Sequence, residues 1–252
     1  MNRQPDASAP AIDVMSFNIH HGEGVDGVLD LERIARVIRS SGAEVVGLQE
    51  VDRHFDRRSQ WADQATELAR LLGYHLAYGA NLDLAPPAPG APRMQYGTAV
   101  LSRHPITRSR NTHLFRSPGE EQRGLLQAEI DFRGIPLQVF VAHLELFSET
   151  DRTQQVKEVI ELIGDAAPAI LLGDFNAVPE TPEIAAVRAA FTDCWTVVEG
   201  APAATFPTDA PAECIDYVFA GPGVRPVRIG PVTGEPAASD HLPVLARLVV
   251  TA

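Results

Sequence analysis

The stretch Pro168–Asn176, PAILLGDFN, decides how the chain is read. Its apolar run is too short for a typical helix and does not alternate with polar residues, so it reads as a central strand covered on both faces. The run then stops in an acid, an aromatic and an amide. Asp and Asn commonly close turns by bonding nearby backbone groups. At the end of a buried strand the same residues can instead face a ligand. If the backbone stays extended through Asp174, Phe175 and Asn176, alternation sends the acid and the amide to one side and packs Phe175 inward.

Outward from that strand, short β-like runs alternate with helical stretches, which makes the chain α/β or α+β. IDVMSFNI (Ile12–Ile19) and AEVVGLQE (Ala43–Glu50) are early strands. Between them Leu31, Ile34, Ala35 and Ile38 repeat at helical spacing behind Asp30 as N-cap, with Gly42 as the stop. Asp63–Leu72 is a second amphipathic helix and Thr150–Ile163 a third. Further strands are expected at YGTAVLS, GLLQAEIDF and LQVFVAHL, the last two joined by a turn at Gly134-Ile135-Pro136. Pro182 suits a helix's first turn, with Thr181 as its cap and Glu183 near the positive end of the dipole. The proline-rich segment Ala80–Gln95 reads as a long surface loop. The last third supplies further strands separated by Gly and Pro loops.

The 252 residues, 45% of them hydrophobic, are enough for one substantial core, so a single domain over residues 11–252 is expected behind a flexible tail at 1–10. No 18-residue apolar run occurs and the start lacks a secretory pattern, so the expected location is the cytoplasm. Cys194 and Cys214 fit no metal-ligand spacing and read as two reduced thiols. The net charge of −12 argues against broad electrostatic attraction to nucleic acid. Lys157 is the sole lysine; arginine carries the remaining positive charge.

Other strands end as the opening one does. Asn18 closes the first and Gln49-Glu50 the second; His143 and Glu145 follow VFVA. ECIDYVF presents Asp216, and Asp240-His241 precede the last strand. Taken singly these are ordinary turn or terminal residues. As an ordered set of Asn18, Glu50, His143, Asp174, Asn176, Asp216, Asp240 and His241 they make a site hypothesis.

At these residues the chain resembles the endonuclease/exonuclease/phosphatase superfamily, which includes deoxyribonuclease I-like nucleases, abasic-site endonucleases, neutral sphingomyelinases and inositol-phosphate phosphatases. The resemblance runs from about Ile12 to Val250 through FNIHHG, LQEVD, YGTAVLSRHPI, HLEL, LLGDFNAVP, IDYVFA and SDHLPV, in family order. It implies a deoxyribonuclease I-like four-layered sandwich of two packed mixed β-sheets flanked by helices, with the active site at one edge. It further implies that Asp216 pairs with His241 and that His143 touches the phosphate from another side. Two departures matter. Gln122 stands where many relatives carry a charge, leaving Arg123 as the phosphate-contacting arginine, and the abasic-site enzymes' tyrosine is missing when Leu101-Ser102 are aligned.

Phosphate ester hydrolysis needs an activated water, charge compensation on the phosphoryl oxygens and help for the leaving oxygen. Magnesium, or manganese in its place, prefers oxygen ligands. Glu50 is the strongest ligand candidate, with Asn18 offering its amide oxygen and Asp240 serving as a ligand or as an acid behind one. No thiolate cluster or HExxH spacing points to zinc. Asp174 can orient or deprotonate water while Asn176 holds a phosphate oxygen or that acid. His143 and His241 are catalytic candidates, His241 either as base or as charged phosphate ligand. Tyr96 is expected to pack near the site. His20 and His21 are candidates for its lining, and RHFDRR (Arg53–Arg58) and SRHPITRSR (Ser102–Arg110) for a basic rim, against a plain exposed surface for each.

The expectation is therefore a magnesium-dependent phosphohydrolase, in particular a phosphodiesterase acting on a small or lipid-linked phosphate ester. A nuclease is less favoured because of the acidic balance and the missing tyrosine. A non-catalytic binding domain would have let the polar set decay. Action at a membrane surface is a third alternative, with Leu82, Leu84 and the prolines of Ala80–Gln95 shaping a substrate entrance.

Overall fold

The computed structural model describes residues 9–197 and 202–251; of the expected tail at 1–10, residues 1–8 lie outside the described residues. Two six-stranded mixed sheets form the centre. The first comprises β1 (Ala11–Asn18), β2 (Val45–Arg53), β3 (His75–Leu84), β4 (Met94–Ser102), β11 (Val224–Pro231) and β12 (Val244–Val250), in the order β11-β12-β1-β2-β4-β3. The second comprises β5 (Ile106–His113), β6 (Gly124–Phe132), β7 (Ile135–His143), β8 (Ala169–Asp174), β9 (Thr192–Asp193) and β10 (Asp216–Ala220), in the order β5-β6-β7-β8-β10-β9. Each has one parallel pair, β1 with β2 and β7 with β8. Parallel neighbours need a crossover, supplied by α1 (Leu31–Ser41) and α3 (Glu149–Ile163).

Alternation explains the layers. In β1, Ile12 and Val14 join the core between the sheets, whereas Met15 and Phe17 pack with Ile34 and Ile38 of α1 and Leu68 of α2 (Gln64–Leu72). On the other side, Val156 and Val159 of α3 and Ile184 and Val187 of α4 (Pro182–Ala190) cover the second sheet. The result is helix, sheet, sheet, helix, as the resemblance implies. The sheets approach closely at Gly47, where a Cβ would stand 2.8 Å from Val141 Cγ2 and 3.0 Å from Leu172 Cδ1. β8 is buried throughout, which accounts for its unbroken apolar sequence.

Helix ends follow their capping residues. Asp30, Asp63 and Ser148 accept the backbone N–H three residues on. Thr181 occupies the N-cap position of α4 without capping it, because its hydroxyl donates to Val178 O instead.

Two expectations are corrected, the loop at Ala80–Gln95 and the β6–β7 turn. Ala80–Gln95 is not all loop: β3 continues to Leu84 and β4 begins at Met94, the two pairing across a bulge between Ala80 and Leu82. The β6–β7 turn is Arg133-Gly134, both at positive φ, with Phe132 opposite Ile135. That two-residue geometry matches the twist of the flanking strands. Pro136 then lies inside β7, before its pairing with β8 begins at Gln138. SRHPITRSR contributes most of β5, an exposed edge strand whose polar faces give no periodic apolar signal. Among the described residues no helix is long and apolar enough to cross a membrane.

Candidate active site

Strand register assembles the site. Asn18 lies opposite Gln49 at the parallel ends of β1 and β2, and His143 opposite Asp174 at the parallel ends of β7 and β8. β10 runs antiparallel to β8, so its first residue, Asp216, also faces Asp174. The loop before β12 adds Asp240 and His241. These groups meet at a pocket of about 530 Å³ lined by Glu50, Tyr96, Arg123, His143, Asp174, Asn176, Asp240 and His241.

Asp174 is the centre. One carboxylate oxygen, Oδ2, accepts from Asn18 Nδ2 at 3.0 Å and lies 3.7 Å from Nε2 of both His143 and His241. The other, Oδ1, accepts the Asn176 N–H at 3.0 Å. Chain direction changes here: Asn176 has φ 48°, so the extended continuation assumed from alternation does not hold. Asp174 and Asn176 are associated through this tight turn instead, and the Asn176 amide donates to Leu144 O at 2.9 Å. Phe175 does pack inward, edge-on to Tyr217 and Phe219. Burial pushes the Asp174 carboxyl up and nearby Asp216 adds to that, against opposing pulls from His241 and the Asn18 and Asn176 hydrogen bonds.

The two histidines are driven apart in protonation. His241 Nδ1 lies 2.9 Å from Asp216 Oδ2. Burial alone would lower its pKa, but Asp216, Asp174 and Asp240 outweigh it and raise it to about 10, so His241 is an imidazolium near neutrality. His143 is pushed well below its ordinary value, first by burial and then by Arg123 and His241. Arg123 Nη1 donates to His143 Nδ1 at 3.2 Å. An arginine cannot accept, so Nδ1 is the acceptor and the proton of neutral His143 sits on Nε2, facing Asp174.

Glu50 stands in a bulge where the β2–β4 register shifts between Leu48 and Val51, with φ 57°, unusual for a residue with a side chain. The bulge turns its carboxylate into the pocket, where Asn18 Nδ2 donates to it at 3.1 Å. Asn18 is placed differently from the oxygen ligand expected: its Oδ1 accepts the His20 N–H at 3.1 Å, leaving Nδ2 to bridge the Glu50 and Asp174 carboxylates. The His20 ring is not brought to the pocket; its Nδ1 lies 3.2 Å from Glu23 O. Tyr96 is buried in the wall beside Phe55, and its hydroxyl is pushed well above its usual pKa by burial and by Glu50.

The expected basic rim is largely neutralised. Arg58 pairs with buried Asp52 at 2.8 Å and Arg53 with Asp63 at 2.9 Å, while Arg108 and Arg110 of β5 line a separate depression. Sequence reasoning missed Glu121 and Arg152, which line the pocket, and Phe206, whose ring lies 4.8 Å from that of His241. None carries a local signal, since each is defined only by what folds against it.

The donor set fits a hard cation: carboxylates at Glu50, Asp174, Asp216 and Asp240, with no thiolate among them. Asp174, Asp216 and His241 can present ligand atoms within 4.8 Å of one another, and Asp216 Oδ1 is buried without a hydrogen-bond partner.

A family model described as "Endonuclease/Exonuclease/phosphatase family" matches residues 15–241. The uncharacterised protein YbhP of Escherichia coli is 29% identical over 250 residues, spanning 93% of this chain and 95% of its own. A crystal structure of an endonuclease/exonuclease/phosphatase from Beutenbergia cavernae superposes with a TM-score of 0.82 at 28% identity, covering 96% of this chain and 72% of that one. A mannosyl-6-phosphatase of Bacteroides thetaiotaomicron shares the fold with a TM-score of 0.76 at 20% identity, over 94% of this chain and 99% of its own.

Proposed function

The chain belongs to the endonuclease/exonuclease/phosphatase family, whose members hydrolyse phosphate esters, and from its site we propose a divalent-cation-dependent phosphodiesterase acting on a small or lipid-linked ester. The observation that carries the reading is Asp174 set 3.7 Å from two histidines of opposite protonation. Asp174, raised by burial and oriented by Asn18 and Asn176, takes the proton of the attacking water. His241, charged through Asp216, offsets negative charge on a phosphoryl oxygen. Neutral His143 donates its Nε2 proton to a second oxygen, the tautomer being held by Arg123. Glu50, with Asp240, would hold magnesium or manganese, which when bound supplies further charge compensation on the phosphoryl and leaving oxygens.

A diester suits the charge balance. Arg123 is already paired with Glu121 at 2.8 Å and approached by Glu145 at 3.5 Å, so this guanidinium offers little free charge to the second negative charge of a monoester. Leu146, Phe147, Val178 and Ile215 give the same pocket an apolar lip for an esterified group.

The test compares bis-p-nitrophenyl phosphate, p-nitrophenyl phosphate, and abasic, single-stranded and duplex DNA, each with magnesium and after chelation. The diester should be cleaved best. Asp174→Ala and His241→Ala should each lower kcat by about 10²-fold or more with the circular dichroism unchanged. DNA as the dominant substrate, or activity retained in either variant, would overturn the proposal.

A further inference from the structure

Asn18 bridges the Glu50 and Asp174 carboxylates, and two short segments decide where it and Glu50 sit. The turn His20–Gly22 supplies the N–H that holds Asn18 Oδ1, and the β2 bulge carries Glu50. Both pass through left-handed backbone at residues with side chains, His20 and His21 at φ 45° and 43° and Glu50 at φ 57°. Such conformations persist only where the surrounding structure over-determines them.

Gln64, the first residue of α2, holds both segments and is 0% exposed. Its Oε1 accepts the Asp52 N–H at 3.0 Å, two residues beyond Glu50, and its Nε2 donates to His21 O. One planar amide from a third element thus takes one backbone group from each strained segment. Strand pairing supplies neither bond. β1 pairs with β2 only as far as Asn18 and Gln49, and past that point the Asp52 N–H goes to a side chain. The turn's own bonds, Gly22 N–H to Ile19 O at 2.8 Å and Glu23 N–H to His20 O at 2.9 Å, close it on itself without reaching the bulge.

The fit is close. A Cβ at Gly22 would stand 3.2 Å from Gln64 Nε2 and 2.8 Å from Leu31 Cδ2, so glycine at that position admits the amide. Ordering and desolvating a glutamine is costly, and the other buried positions of α2, Ala65, Leu68 and Ala69, are apolar. Core filling alone calls for an apolar residue here too; the amide is explained by the two backbone groups it joins.

We propose that Gln64 is a positioning residue of the active site, clamping the turn to the bulge so that Asn18 and Glu50 keep the spacing from Asp174 that cation binding and water activation require. The assignment rests on the hydrolase reading above and adds the residue that sets the geometry on the Glu50 side of the pocket.

The experiment compares the wild-type chain with Gln64→Met, which loses both bonds, and Gln64→Glu, whose carboxylate still accepts the Asp52 N–H but cannot donate to His21 O. The metal-free readout is the Asn18 side-chain amide in ¹⁵N NMR: its protons, buried between two carboxylates, should exchange with solvent about 10-fold faster or more in Gln64→Met. Mn²⁺ titration followed by electron paramagnetic resonance should give an affinity about 10-fold weaker in Gln64→Met, with Gln64→Glu between it and the wild type. For bis-p-nitrophenyl phosphate at saturating metal, kcat should fall about 10-fold or more while KM moves less than about 3-fold, because the phosphate contacts assigned to His143 and His241 remain. Asn18 exchange and Mn²⁺ affinity both within about two-fold of wild type, with only the urea midpoint lowered, would overturn the proposal, since Gln64 would then serve stability alone. Gln64→Glu matching the wild type in both would overturn it as well. Should Gln64→Met not fold by circular dichroism, Gln64→Asn, too short to reach both groups, carries the same expectation. A wild type that binds no Mn²⁺ or hydrolyses no diester would sink the hydrolase reading, and the Asn18 exchange rates would still decide the clamp.

Discussion

Arg123 offers the sharpest energetic test of the site. Its guanidinium is 7% exposed and stands among Glu121, Glu145 and His143, at 2.8, 3.5 and 3.2 Å. Glu145 is only 2% exposed; its Oε1 accepts the Phe147 N–H at 3.0 Å, while Oε2 has no donor other than this long contact. Arg123→Met therefore strands a buried carboxylate, which costs about 3–5 kcal/mol, roughly a fifth or more of a typical domain's ~5–15 kcal/mol. Glu145→Gln alone leaves Arg123 paired with Glu121 and should cost about 1 kcal/mol. If the stranded charge is the cause, removing it restores part of the loss. The double variant should then lie about 2–3 kcal/mol below wild type rather than the ~5 of simple addition, a coupling near the top of the range for contacting residues. Urea unfolding at neutral pH, followed by the fluorescence of buried Trp195, measures all four proteins. Activity should stay low in the double variant, because His143 Nδ1 has still lost its donor, and ¹⁵N NMR of the imidazole should show that nitrogen's signal changed. Additive stability losses, or a loss below about 1 kcal/mol for Arg123→Met, would refute the electrostatic reasoning.

Other expectations follow from single contacts. The Tyr217 hydroxyl, fully buried, lies 2.9 Å from Ala177 O and 3.0 Å from Cys214 O, tying the segment after Asn176 to the one before Asp216; Tyr217→Phe should cost about 1–3 kcal/mol in urea unfolding and lower kcat as well. Asp26 is held at about 2 by the Arg33 fork and then by the Val28 N–H. A depressed carboxylate contributes stability above its unfolded pKa and loses it as pH falls through the folded one, so the advantage of wild type over Asp26→Asn should be constant above pH ~4 and vanish toward pH ~2. Burial pushes Cys214 up to about 12 and Cys194 higher, so neither thiol should react with a disulfide reagent at pH 8 in the folded protein, and both should react in denaturant.

By itself the sequence determined what local periodicity and end-residues can carry: the α/β character, the central β8 strand, the helix capped by Asp30, the two amphipathic helices at Asp63–Leu72 and Thr150–Ile163, and the recurrence of polar residues at strand ends. Those features depend on neighbours within a few positions, where alternation and capping act. The tertiary structure decided the rest because it depends on register across residues far apart in the chain. It set Asp216 beside Asp174 through an antiparallel pair, and gave His143 its tautomer through a residue twenty positions away. It bulged β2 so that Glu50 turns inward, and reversed the backbone at Asn176 where simple alternation would have run on. It turned Asn18 from an expected oxygen ligand into a bridging donor, because the His20 N–H claims its oxygen. It also hid β5, an edge strand with almost nothing to bury and hence no apolar period to read, and tied the turn His20–Gly22 to β2 through Gln64 of a third element.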